Sequence, residues 1–249
     1  MRRQLVAIVA ILAVSCAAPT PAATSAPTVA APSPTPAPTA APTATPAPTP
    51  APSPTVNPLA LPAVPAPVAV TLDAKTTAIG VFDVTNPTCG TRPECTASIP
   101  KIAALLQKAR DAGVLVLYSS TAAANTFPAE IAPKGNDVTV GPLAGIADLF
   151  LRSSTATPTI DQLLKDKKIT TLLITGTRSN GVVMYTSFGA NARGYTVVVP
   201  VDTMSGSVPF ESNMTAWQLL NQPGFANADN KALTEKAVTL TRSDMVTFK

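Results

Sequence analysis

The stretch GTRSNGVVMYT, Gly176 to Thr186, joins two unlike sequence patterns. Ahead of it runs the apolar segment Thr170 to Thr175, and beyond it Val183, Thr186, Ser187 and Ala190 repeat at helical spacing. A short apolar run, a glycine turn and then a 3.6-residue period predict strand, turn and helix in succession. The helix is expected over Asn180 to Arg193, ended by Gly194, and Tyr195 to Val201 is the most strand-like run in the chain. The same alternation continues upstream. Thr77 to Phe82 is an apolar run ending at Asp83, and Ser98 is positioned to cap a helix whose apolar residues Ile99, Ile102, Ala103, Leu106 and Ala109 recur until Gly113. Val114 to Tyr118 reads as the next strand, Asp137 to Val140 as a short one, and Thr159 as the cap of a helix through Lys165. Met214 to Leu220 is expected to be helical and Val238 to Thr241 to form a last strand. Apolar strands alternating with helices predict an α/β fold, a three-layer αβα arrangement around a mostly parallel sheet of about six strands. In such folds ligands sit beyond the carboxyl ends of the strands. Asp83 and the loop at Arg178 both fall at such ends.

The chain divides into three parts by composition. Met1 to Cys16 carries Arg2 and Arg3, then the apolar run Leu5 to Val14, then Ser15 and Cys16, the pattern of a signal peptide with a small-residue cleavage zone. It is too short for a permanent bilayer span. Leu12 to Cys16, LAVSC, resembles a bacterial lipobox with its leucine displaced by one, so Cys16 is the expected lipidation site, against ordinary cleavage nearby. Acylation there would make the membrane a partner and place the protein lipid-anchored on the extracytoplasmic face; ordinary cleavage would release it as a secreted protein. Several acyl chains would hold the protein stably where one would not.

Residues 17–68 are almost entirely Ala, Pro, Thr, Ser and Val, hold 17 of the 27 prolines and carry no charge. Such a segment has nothing with which to build a core and is expected to be a disordered, stiff, polyproline-II-like linker. Fully extended, it would reach on the order of 150 Å. Residues 69–249 form the expected head, with about 180 residues for one core. Apart from Arg2 and Arg3 every charge lies in the head, which leaves it nearly balanced, without a basic run or aromatic-basic interleaving. No nucleic-acid partner is expected, despite the sequence pI of about 9.1. No nucleotide loop, haem motif or metal cluster is visible in the sequence, and no cofactor or metal is expected.

Four segments resemble the isochorismatase-like cysteine hydrolases. They are TTAIGVFDV (Thr76–Val84), IPKIAALLQKARDAGVLVLYSS (Ile99–Ser120), TIDQLLKDKKITTLLITGT (Thr159–Thr177) and RGYTVVVPVDTMSG (Arg193–Gly206), in the family's order and spacing. The resemblance implies that fold, a hydrolase ancestry and a catalytic set of cysteine thiolate, aspartate base and lysine. It places the aspartate at Asp83. The cysteine would stand six residues after Gly176 and four before Thr186, which is Val182, and counting back from Ile160 puts the lysine at Leu149, with Lys134 the nearest upstream lysine. An isopropyl group cannot attack a carbonyl carbon. Two apolar residues in catalytic positions imply a divergent member that has lost the thiol route, a pseudoenzyme. The family also implies self-association into a homo-oligomer.

Several residues could take up what chemistry remains. Arg178, Ser179 and Asn180 stand at the predicted helix start, where free amides and a guanidinium would hold an anionic small molecule; the plainer alternative is a cap at Asn180 with Arg178 in solvent. Asp83 is either ligand-facing or bonded to turn amides of the DVTN segment. Thr177 or Ser179 would lack a histidine to activate them, because the chain contains none. Cys89 and Cys95, in CGTRPEC, are expected to form a disulfide in an exported protein, since two cysteines without histidine are too few ligands for structural zinc. Trp217, Phe225 and Phe248 read as packing residues, and residues 221–230 as a polar loop lining either the pocket or an oligomer contact. Three readings follow: a tethered small-molecule-binding or scaffold module, an extracytoplasmic hydrolase using Asp83 without cysteine, and a structural envelope protein.

Overall fold

A computed structural model describes residues 62–142 and 144–249. Cys16, the signal segment and residues 17–61 of the expected linker lie outside the described residues. Ahead of residue 69 the chain is already in contact with the head. Val64 packs against the core, the Ala66 carbonyl accepts from Asn230, and the Val68 N–H donates to Leu240 O.

The strands are β1 (Val70–Leu72), β2 (Thr77–Phe82), β3 (Leu115–Ser119), β4 (Val138–Val140), β5 (Thr171–Thr177), β6 (Thr196–Pro200), β7 (Met204–Ser205), β8 (Val238–Thr241) and β9 (Val246–Phe248). The helices are α1 (Asn86–Cys89), α2 (Pro93–Asp111), α3 (Leu149–Arg152), α4 (Ile160–Asp166), α5 (Met184–Ala192) and α6 (Pro209–Leu220). The main sheet is seven-stranded and parallel, in the order β4-β3-β2-β5-β6-β8, with the short β7 alongside the carboxyl end of β5. A parallel β1–β9 pair joins two segments far apart in sequence. β7 supplies the strand beyond the six expected; at two residues it offers no period to read.

Successive residues of the central strands point to opposite faces. Ile79 and Val81 of β2, Leu173 of β5 and Val198 of β6 enter one core with Ile102, Leu105 and Leu106 of α2. Ala78 and Phe82, Leu172 and Ile174, and Val197 and Val199 enter the other with Ala190 of α5 and Leu219 and Leu220 of α6. Burying strands on both faces is what makes them apolar without alternation. The arrangement is therefore the expected three-layer αβα fold.

Local signals set most boundaries. Thr159 and Gln162 close a capping box on α4, and Gly113 and Gly194 follow α2 and α5 in the left-handed region at φ +76° and +91°. Ser98 is not a cap, contrary to expectation. α2 begins earlier, at Pro93, with its proline in the first turn where the missing N–H costs nothing, and Ser98 donates to Cys95 O inside the helix. Cys89 and Cys95 are joined as a disulfide, as expected, linking α1 to the start of α2. The polar loop at 221–230 covers a sheet edge. Asn230 accepts from the Leu240 N–H and donates to the Leu240 carbonyl, and Asn227 donates to Val238 O, so β8 is closed to further strand pairing.

Candidate functional site

Asp83 follows β2 directly, at the carboxyl end of the sheet, with φ +59°. The left-handed conformation is one that aspartate tolerates better than most residues, and it turns the side chain toward α3. There the Arg152 guanidinium grips the carboxylate with both terminal nitrogens, Nη1 to Oδ2 at 2.9 Å and Nη2 to Oδ1 at 3.0 Å. Ser119, at the end of β3, donates its hydroxyl to Oδ1 at 2.8 Å, and Nη2 also reaches Ser119 Oγ at 3.3 Å. Asp83 and Arg152 are each only 8% exposed. Turn amides do not hold this carboxylate; the nearby Thr85 N–H goes to the backbone carbonyl of Asp83. The guanidinium Nε–H is buried without an acceptor.

The loop after β5 turns its polar residues away from Asp83 and toward α6. Arg178 pairs with Glu211, which also accepts from the Ser207 N–H, while Ser179 is fully buried and accepts from the Ser212 hydroxyl. The Ser207 N–H first, and then Arg178, hold the Glu211 carboxyl below its ordinary range. The expected helix start at Asn180 is instead a wide turn over Ser179–Val183, kinked at Gly181, and α5 begins at Met184. Within that turn the Gly181 and Val183 amides both donate to Arg178 O. These amides are therefore spent on the backbone, and the guanidinium meeting Asp83 belongs to Arg152 and not to Arg178. Gly176 is required by packing, since a Cβ there would lie 2.7 Å from the Phe82 carbonyl oxygen.

Val182 and Leu149 are both buried in one apolar cluster with Phe82, Phe150 and Val183. Leu149 sits in the first turn of α3, and Arg152 stands one turn later on the same helix. Asp148 caps that helix, accepting from the Phe150 N–H at 2.9 Å; burial pushes its carboxyl above the ordinary range, against the pull of that N–H and of Arg193.

An isochorismatase domain model matches residues 77–230, which is more than half of the chain. The chain belongs to the isochorismatase family. Solved structures of the family share its fold. An isochorismatase family protein from Desulfovibrio vulgaris superposes with a TM-score of 0.53 at 20% identity, covering 68% of this chain and 95% of that one. N-carbamoylsarcosine amidase from Thermoplasma acidophilum gives 0.52 at 17% identity, covering 68% and 97%. Nicotinamidase from Bacillus subtilis gives 0.54 at 12% identity, covering 67% and 99%. No curated protein sequence matches.

Within the isochorismatase fold, then, Asp83 keeps a cationic neighbour, but the cation is an arginine displaced by one helical turn from the position counted in sequence. Sequence reasoning missed Arg152, Ser119 and Glu211. Arg152 had one readable signal, a charged residue in an otherwise apolar LFLR segment between Asp148 and Ser153. Chemically, the arrangement offers a carboxylate that accepts three hydrogen bonds, one at Oδ2 and two at Oδ1, and whose charge is matched. A general base must reach the proton that it removes. Here both oxygens already accept from a guanidinium that cannot give up its proton.

Proposed function

We propose that this protein is a membrane-tethered, extracytoplasmic isochorismatase-like module that has lost the hydrolytic chemistry and acts through binding or as a scaffold. The observation that carries this reading is the bidentate grip of Arg152 on Asp83, together with a valine at the position where the family resemblance requires a thiol. A covalent route needs a nucleophile, and a water route needs a free carboxylate oxygen facing an accessible pocket. Val182, packed into the core, supports loss of the first, and Asp83, buried and paired with Arg152, supports loss of the second. Ser179 is buried and Arg178 is paired, which favours a scaffold role over ligand binding at this end of the sheet.

The reading is tested by assaying the purified protein against amides, esters and enol ethers. Turnover is expected to stay at background. Hydrolysis that disappears in Asp83→Ala would establish instead an active hydrolase that uses Asp83 without cysteine. The tether is tested separately by metabolic labelling with a fatty-acid probe. Incorporation that Cys16→Ser abolishes is expected, and an unlabelled, released protein would make it secreted.

A further inference from the structure

The amino ends of the strands, opposite Asp83, present a second site. A groove of about 610 Å³ opens there between the turn before β2, the carboxyl end of α2, the loop entering β4 and the segment entering β5. Each of these four segments contributes one cation: Lys75, Arg110, Lys134 and Lys167, facing a single lining carboxylate, Asp137. That carboxylate is already engaged. Its Oδ2 accepts from Arg110 Nη2 at 2.6 Å and from the Lys134 N–H at 2.9 Å. The three lysines enter none of the ion pairs among the described residues. Arg110 is held rigidly by Asp137, the Tyr118 hydroxyl and the Ala132 carbonyl through Nε and Nη2, which leaves Nη1 uncommitted. The head as a whole is almost charge-balanced, so this groove collects its excess of base and the remaining surface is slightly acidic.

We propose that this groove binds a small ligand carrying two or more phosphate or carboxylate groups. One fixed guanidinium would orient the first anionic group, and the mobile lysines on the surrounding segments would neutralise the others. The volume suits a small molecule. Gly113 and Gly135 border it in left-handed conformations, with open space where a side chain would stand. The site is independent of what happens at Asp83.

Calorimetric titration of the full chain at low salt tests the proposal, with tripolyphosphate, citrate and inorganic phosphate as probes. Saturable binding of tripolyphosphate or citrate is expected, and whichever binds more tightly tells phosphate from carboxylate recognition. The pair Lys134→Glu and Lys167→Glu should weaken it by roughly tenfold or more, because two attractive charges become repulsive. The distant pair Lys101→Glu and Lys231→Glu, which changes net charge equally, should leave it intact. Equal weakening by both pairs would reduce the effect to overall charge and overturn the site. Inorganic phosphate binding as tightly as tripolyphosphate would overturn the requirement for several anionic groups, and no saturable binding of either multivalent probe would overturn the whole.

Discussion

The two ends of the sheet handle charge in opposite ways. At the carboxyl end Asp83 and Arg152 are buried and bonded to each other, with the Ser119 hydroxyl completing the cluster. At the amino end Lys75, Lys134 and Lys167 surround an open groove whose one lining carboxylate, Asp137, is already paired with Arg110. Buried charges must be paired because desolvation is costly, whereas exposed ones can wait for a partner. The end at which the fold family's ligands are expected is thus the end where Asp83, Arg152, Arg178 and Glu211 are already paired with one another. Unspent binding capacity lies at the other.

The largest effect should come from breaking the buried pair. Asp83→Asn keeps the left-handed backbone and the size of the side chain but leaves the Arg152 guanidinium buried and uncompensated. A loss of about 3–5 kcal/mol is expected, read from denaturant unfolding. Adding Arg152→Met removes the stranded charge and should recover most of that loss. If the single and double variants unfold at the same denaturant concentration, the pair is not what couples β2 to α3.

How much of this could be read from the sequence depended on how local the cause was. Thr77–Phe82 was legible because burial on both sheet faces leaves a nearly continuous apolar run, and Val238–Thr241 because its valine and threonines are strand formers. The α4 cap was legible because a capping box spans only four residues. Arg152 was not, because its partner Asp83 lies 69 residues away and the two meet only where α3 approaches the carboxyl end of β2. Nor was the Arg178–Glu211 pair, whose partners are 33 residues apart and meet only when α6 packs against the turn after β5. The amino-end groove is assembled from four segments that are neighbours only in the folded sheet.

A smaller effect at the carboxyl end should appear as a pH dependence. Burial raises the folded-state pKa of Asp148 above its unfolded value. Between those two values the native state holds more proton than the unfolded chain, so this group makes stability fall as pH rises through the window and imposes a constant penalty above it. Asp148→Asn keeps an oxygen for the Phe150 N–H and removes the titration. Its stability relative to the parent should therefore improve from about pH 4 to pH 7, by less than the Asp83 exchange costs. A pH-independent difference in urea unfolding would mean that the carboxyl is not penalised by its surroundings.

The smallest effect should come from the groove, and its smallness is the point. Lys134→Ala with Lys167→Ala removes two exposed ammonium groups that share no ion pair among the described residues, so the unfolding midpoint should not move. The same double variant should weaken tripolyphosphate or citrate binding. Residues that matter to a ligand but not to the fold are what an open, unmatched cluster predicts, and Asp83 and Arg152 are predicted to behave in the reverse way. A midpoint that falls with the lysines removed would show them to be structural, as the buried pair is, and would erase the contrast between the two ends of the sheet.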